Sequence, residues 1–501
     1  MLGVPFHQPP LPMLYIATPF RWFICCAVVA VLLLLPVDTA AEDRGKAAPV
    51  HSAITSSSLV VAGDSVRSGL PVQYVLADTT DRQRDLLGED DDEGYTGVDI
   101  RTRRLRIRSD DGRDLFRLRG RLFVDAAYLF FDPTDTVDDD RPERGDLARY
   151  QTIVRNARLG AEGVMYEDWV WRIEADLRDA EIRFRGSYIE YIGWDPLRVT
   201  VGNIKEPVGM EWMTTRRRNT FIERAAPLDA YKPSWNIGGR VEYRGASYHL
   251  MGGLFGGNDV IRDRRITDGF ALAGRATVAP YVQGRNYLHL GAGGSHRQNA
   301  YRNRADFAER QYLDVRLRTR LGTRAVDGRF IGREDISGAE NYGTWAVEGA
   351  LGVGPVALQG EVIGVTLNRQ ADLEQINLWG WYAQASWFLT GEARTYRPGR
   401  GNFGAVIPTR NFRPGFGPGA IELTARYAFV DSIEDSDDML IYDGGTMDHF
   451  TLGVNWYLAR EIRLMANYIY LDARRATPMG PGLGGKQTTG SLLALRFQIE
   501  I

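Results

Sequence analysis

Hydrophobic and polar residues alternate one for one along most of the chain beyond residue 105. In the segment 169–178, Trp169, Trp171, Ile173, Ala175 and Leu177 fall on one side, with Arg172, Glu174, Asp176 and Arg178 on the other. Successive side chains of a strand point to opposite faces, so this pattern predicts a strand with one apolar and one charged face. The segment 116–130 repeats it: Phe116, Leu118, Leu122 and Val124 alternate with Arg117, Arg119, Arg121 and Asp125. Faces so different in polarity need two different solvents. Further strands are predicted at 154–164, 181–192, 197–204, 237–243, 247–255, 270–279, 287–293, 345–353, 356–365, 378–389, 421–430, 450–458, 462–471 and 492–501. Ahead of them, a small hairpin starts at Leu105 and turns at Asp110-Asp111-Gly112.

The connections are short at one end (Gly193-Trp194-Asp195-Pro196, Arg244-Gly245) and long at the other (132–146, 206–234, 256–268). That asymmetry is the signature of an outer-membrane barrel, and such barrels close with even strand numbers. The expected fold is therefore all-β: a transmembrane antiparallel barrel of about 16 strands with a constriction loop folded into its lumen. The segment 313–321, with Arg316, Arg318 and Arg320, is assigned to a loop. The last strand sets Leu493, Leu495, Phe497, Ile499 and Ile501 against Ala494, Arg496, Gln498 and Glu500. An edge this apolar invites aggregation unless it pairs, here with the first strand. A large soluble all-β protein is the alternative, which the strand lengths and this edge oppose.

The connection after 197–204 carries the candidate chemistry. Pro207 ends the strand, since proline cannot donate to a ladder. Met210, Trp212, Met213, Phe221 and Ile222 follow, more large apolar residues than a solvated loop needs. Among them lie Arg216, Arg217, Arg218 and Arg224, just after Lys205. The loop 206–234 is expected to pack on the lumen wall with these cations at a constriction; a basic surface loop is the plainer reading. Arg117, Arg119, Arg121, Arg155 and Arg158 on the first two strands would join them. Strict alternation sets Arg158 opposite Ala157 and Leu159 and makes Arg155 the less certain. Ordinary lumen polarity, balanced by Glu174 and Asp176, is the plainer reading of the strand arginines. A second long loop, rich in Arg, Gly and Pro, spans 394–419.

Composition adds compartment. The apolar run 23–37 falls short of the roughly 20 residues a membrane helix needs and exits through Ala40-Ala41, as a cleaved signal peptide does. Both cysteines, Cys25 and Cys26, lie inside it, leaving no thiol for chemistry downstream. The expected organisation is a signal peptide over 1–41, a flexible periplasmic leader over 42–100 and a barrel over 101–501. The net charge of -3 names no partner. Only Lys46, Lys205, Lys232 and Lys486 are lysines, so nearly all basic charge is guanidinium, which stays ionised and meets oxyanions in a planar fork. Base composition of the genome explains that excess equally well.

Several stretches carry a family resemblance: Val154-Arg155-Asn156-Ala157-Arg158-Leu159-Gly160, Val201-Gly202-Asn203-Ile204-Lys205-Glu206-Pro207, Phe221-Ile222-Glu223-Arg224, Trp387-Phe388-Leu389-Thr390-Gly391-Glu392, Gly453-Val454-Asn455-Trp456-Tyr457 and Leu495-Arg496-Phe497-Gln498. In this order the chain resembles the phosphate-selective porins O and P of Gram-negative outer membranes. The resemblance implies a trimeric barrel in outer-membrane lipid that passes small inorganic anions such as phosphate. The chain departs from it in three places. Arg155 precedes Asn156 rather than a second arginine, Thr214-Thr215 is followed by arginines rather than lysine, and residue 501 is isoleucine rather than an aromatic. A general diffusion porin or a structural outer-membrane protein is the alternative function. No enzyme, nucleic-acid partner, metal or cofactor is expected. His51, His249, His289, His296 and His449 have no nucleophile motif beside them, and His249 and His289 read as wall or girdle residues.

Overall fold

The structure, a computed structural model, describes residues 97–99, 106–109, 113–131, 149–178, 183–256, 269–299, 301–302, 311–312, 315–325, 331–370, 373–433, 444–475 and 487–500. Among the described residues, sixteen strands follow one another around one sheet. They are β1 (Leu115–Leu129), β2 (Tyr150–Met165), β3 (Trp169–Asp176), β4 (Tyr188–Tyr191), β5 (Leu197–Lys205), β6 (Trp235–Arg244), β7 (Tyr248–Phe255) and β8 (Phe270–Gln283). Then come β9 (Asn286–Gln298), β10 (Ala339–Val353), β11 (Val356–Arg369), β12 (Ile376–Phe388), β13 (Ala420–Asp431), β14 (Gly445–Ala459), β15 (Ile462–Arg475) and β16 (Gln487–Glu500). Each pairs antiparallel with the next. β16 pairs back onto β1, from Leu492↔Leu129 to Glu500↔Arg121, which closes the barrel and leaves no edge. Arg106–Arg108 pairs with the start of β1, and Gly97–Asp99 pairs with Arg106–Arg108.

Alternation holds around the ring, and it is inverted relative to a soluble protein. Leu159, Ile173, Val201, Val241, Leu272, Leu358 and Leu452 are exposed on the outer face, while Glu162, Glu174, Arg198, Glu242, Arg275 and Arg496 are buried on the inner one. The outer band is the surface a lipid bilayer covers.

Three local departures have physical causes. The expected strand 181–192 is broken into Arg183–Phe184 and β4 because Gly186 between them takes φ +70°, a left-handed conformation. β8 runs on through Pro280 because the register shifts between Val278 and Tyr281, and a bulge relieves proline of its ladder bond. The segment 313–321 does stay out of the barrel: Val315–Thr319 pairs with Ile331–Ile336 as a separate hairpin. The asymmetry of the connections has one exception. Residues 389–419 form a long segment at the end where 354–355 and 460–461 turn tightly. Of the long connections expected, 132–146 and most of 256–268 lie outside the described residues.

Candidate functional site

The loop 206–234 crosses the lumen. It holds two short helices, α1 (Met210–Met213) and α2 (Ala226–Tyr231), with a 3-10 turn at Arg216–Arg218 between them. Val208, Trp212, Ile222, Leu228 and Tyr231 pack on Ile363, Val365, Val430, Met465 and Ile469 of the wall. Burying each large apolar side chain is worth about 1.5–3 kcal/mol, which is what holds the loop against this side of the lumen.

Wall side chains satisfy the loop's polar groups. Glu206 accepts from Asn236 (2.5 Å), Ser295 (2.6 Å) and Arg297. Glu361 accepts the N–H groups of Met210 (2.9 Å) and Glu211 (2.7 Å). The backbone reaches it through Gly209 at φ +77°, where an added Cβ would lie 2.6 Å from Glu361 Oε2. Asn467 accepts from Ile222 N (2.9 Å), Asn455 donates to Thr220 O (2.8 Å) and Arg496 to Ile222 O (2.6 Å). A buried backbone needs such partners, and here the barrel supplies them.

The loop leaves a cavity of about 630 Å³ against the other wall. All ten residues singled out from sequence line it: Arg117, Arg119, Arg121, Arg155, Arg158, Lys205, Arg216, Arg217, Arg218 and Arg224. Arginines and lysines outnumber carboxylates among its lining residues by 22 to 5. The carboxylates in the lining, and Glu162 and Glu223 just behind it, are shared. Glu162 meets Arg117, Arg119 and Arg172. Glu174 meets Arg121 and Arg158, both at 2.6 Å. Glu223 meets Arg155 and Arg216, both at 2.5 Å, and Glu500 meets Arg217 (3.1 Å) and Arg218 (3.0 Å). Each carboxylate orients two or three guanidiniums and cancels one, so positive charge is left over. Arg224 lies over the Trp212 ring and donates to Glu211 O and Thr214 O. Lys205 donates to Trp212 O (2.5 Å) and faces the same ring at 4.7 Å.

Arg155 corrects strict alternation. Phe123 pairs with Asn156 but Val124 with Val154, so Arg155 is the extra residue of a bulge and turns inward beside Asn156. Glu223 shows how strongly the loop is tied here: burial opposes its charge, but Arg155 and Arg216 hold its carboxyl well below the ordinary range. Lys232 is pushed the other way, down to about 8 by burial, although Asp229 at 3.5 Å favours its charge.

Other lining residues were missed. Arg172, Arg178, Arg240 and Arg244 share the inward phase of their strands, and alternation alone could have found them. Arg318, Arg320 and Arg324 reach the cavity from the segment 315–325, and Arg397 and Arg400 from the segment 389–419. Periodicity does not say which way a loop folds. His249 and His289 do face inward, bonded to Glu242 (2.6 Å) and Glu348 (2.9 Å).

The chain is similar to known proteins in sequence. Residues 133–501 match the family described as phosphate-selective porin O and P. Porin O of Pseudomonas aeruginosa is 28% identical over 411 residues, covering 74% of this chain and 86% of that one. An uncharacterized protein of Caulobacter vibrioides is 29% identical over 379 residues, covering 73% of this chain and 70% of that one. Solved structures superpose loosely. Outer-membrane expressed OmpT of Vibrio cholerae gives a TM-score of 0.48 at 12% identity, over 79% of this chain and 100% of that one. An anion-selective porin from Comamonas acidovorans gives 0.43 at 14% identity, over 77% and 99%. Strand count and closure rest on the pairing register, not on these superpositions.

Proposed function

Because the chain belongs to the phosphate-selective porin O and P family, we propose that its arginine-lined passage conducts phosphate or related oxyanions. It is an anion-selective porin of the outer membrane. The observation that carries the oxyanion reading is the sharing of each wall carboxylate among several guanidiniums. At an effective dielectric of about 20, a unit charge at about 4 Å is worth roughly 4 kcal/mol before desolvation, so a few uncancelled charges reject cations. Spreading them along a path lets an anion leave again. Guanidinium forks match phosphate oxygens in pairs, which chloride cannot exploit.

In this reading Lys205, Arg216, Arg217, Arg218 and Arg224 act at the loop, and Arg117, Arg119, Arg121, Arg155 and Arg158 along the facing wall. The protein works as a channel rather than an enzyme, as a homotrimer in outer-membrane lipid, exported by a cleaved segment 1–41. The ion pairs favour a second reading: arginines already engaged by Glu162 and Glu500 would set a general preference for anions with no special affinity for phosphate. Single-channel recording in planar bilayers separates the two. Phosphate added to a chloride bath should reduce the chloride current as it occupies the passage. A chloride current indifferent to phosphate leaves the general porin.

A further inference from the structure

The segment 389–419 has two parts with opposite surroundings. Its first part turns into the lumen, where Tyr396–Arg397 pairs with Asn402–Phe403 and Gly401 O accepts from Arg275 at 2.6 Å. Its second part stays outside: residues 409–416 are all exposed, Phe416 at 73% and Phe412 at 41%. This part is folded, not trailing. Arg413 and Gly417 bridge a tight hairpin, and Phe412 N donates to Leu458 O at 2.6 Å.

The hairpin lies against the outside of the barrel. The Phe412 ring meets Trp456 edge-on at 4.8 Å, and Trp456 Nε1 donates to Pro418 O at 2.8 Å. Trp456 follows Leu452 and Val454 on the outward face of β14, and both of those are exposed to lipid. Leu423 of β13, paired with Val454, is exposed too, and beyond it Trp387, paired with Leu423, and Leu389 continue that face on and just past β12. The apolar band of the barrel therefore runs through Trp456 onto Phe412, and Phe416 stands exposed in the same hairpin. Short turns mark the periplasmic end of such barrels, so the hairpin sits at the periplasmic leaflet.

Its charge has one sign. No Asp or Glu occurs between Glu392 and Glu422. Arg410 and Arg413 are exposed, and the Arg413 guanidinium lies 4.9 Å over the Phe416 ring. Apolar rings that enter a leaflet, with cations held at the depth of its headgroups, are the parts of an interfacial anchor. We propose that the hairpin 410–418 is a lipid-binding foot that takes the headgroup phosphate of an anionic phospholipid in the periplasmic leaflet. The acyl chains lie along Phe412, Phe416 and Trp456.

Native mass spectrometry of the purified full chain, titrated with phosphatidylglycerol or with phosphatidylcholine of the same acyl chains, tests this. The wild type should retain phosphatidylglycerol about tenfold better, given that each basic residue at a surface favours anionic lipid. R410Q/R413Q should bring that retention down to the phosphatidylcholine level. Its heat-modifiable migration and chloride conductance should not change, since neither residue lines the passage. Equal retention of both lipids by the wild type would mean apolar anchoring only and overturn the proposal. So would undiminished retention by R410Q/R413Q, and so would displacement of the lipid by inorganic phosphate, which would mark a free-anion site.

Discussion

The wall from β1 to β7 and the wall from β10 to β15 belong to one closed sheet, yet only the first faces the passage. On β1 to β3 the inward positions near the passage include Arg117, Arg119, Arg121, Arg158, Arg172, Glu162, Glu174 and Asp176. On β11 to β15 they include Ile363, Val365, Val430, Met465 and Ile469, all covered by the loop 206–234 or its neighbours. The difference shows how such a channel is made narrow and one-sided. Apolar inward residues recruit the loop, and the loop pushes the water-filled space onto the charged wall. The loop's own arginines then face that wall across the gap.

Detaching the loop should have the largest effect. Glu206→Ala leaves Arg297 buried without its carboxylate, a loss of about 3–5 kcal/mol. The loop should become accessible to protease, and single-channel conductance should rise as the lumen opens. Unchanged conductance would mean that the loop does not set the bore.

A middle-sized effect tests the sharing of charge. Glu500→Gln releases Arg217 and Arg218 without moving the backbone. Chloride preference should increase, read as a larger zero-current potential in a salt gradient. A weaker preference would show that these arginines need Glu500 to point into the passage.

The smallest effect is one of pH. Below about 8, Lys232 is charged both in the folded chain and in the unfolded one. Above that value the folded chain gives up a proton that the unfolded chain keeps until the ordinary lysine range. This group therefore favours folding more as pH rises through that window, while the passage loses one positive charge. Chloride preference should decline slightly between pH 7 and 9, and Lys232→Met should flatten the change.

Much of this was legible in the sequence because a strand has a period of two. Trp169 to Asp176 and Leu493 to Glu500 declare their faces outright, and closure follows from an apolar last strand that needs a partner. The covered wall also left a trace. Val362-Ile363-Gly364-Val365 and Tyr427-Ala428-Phe429-Val430 lose alternation where both faces of a strand are apolar. That trace could have marked which wall the loop leans on. Arg155 was illegible by phase because a bulge adds a residue to β2. The anchors Glu206 and Glu361 were illegible because their partners lie far away in sequence: Arg297 on β9, and Met210 in the loop. The lumen-facing turn at Arg397 and Arg400 was hidden for the same reason, since its neighbours Arg275 and Thr277 sit on β8.

The central claim is that local arginines, not the net charge of -3, decide what passes. Distant surface charges are screened within about 8–10 Å at physiological salt, whereas those in the passage are met directly. The direct measurement is the reversal potential of single channels in a potassium chloride gradient, for the wild type and for the triple variant R216E/R217E/R218E. Chloride should be favoured over potassium by the wild type, and the variant should reduce or invert that preference. An unmutated channel that favours potassium would contradict the account.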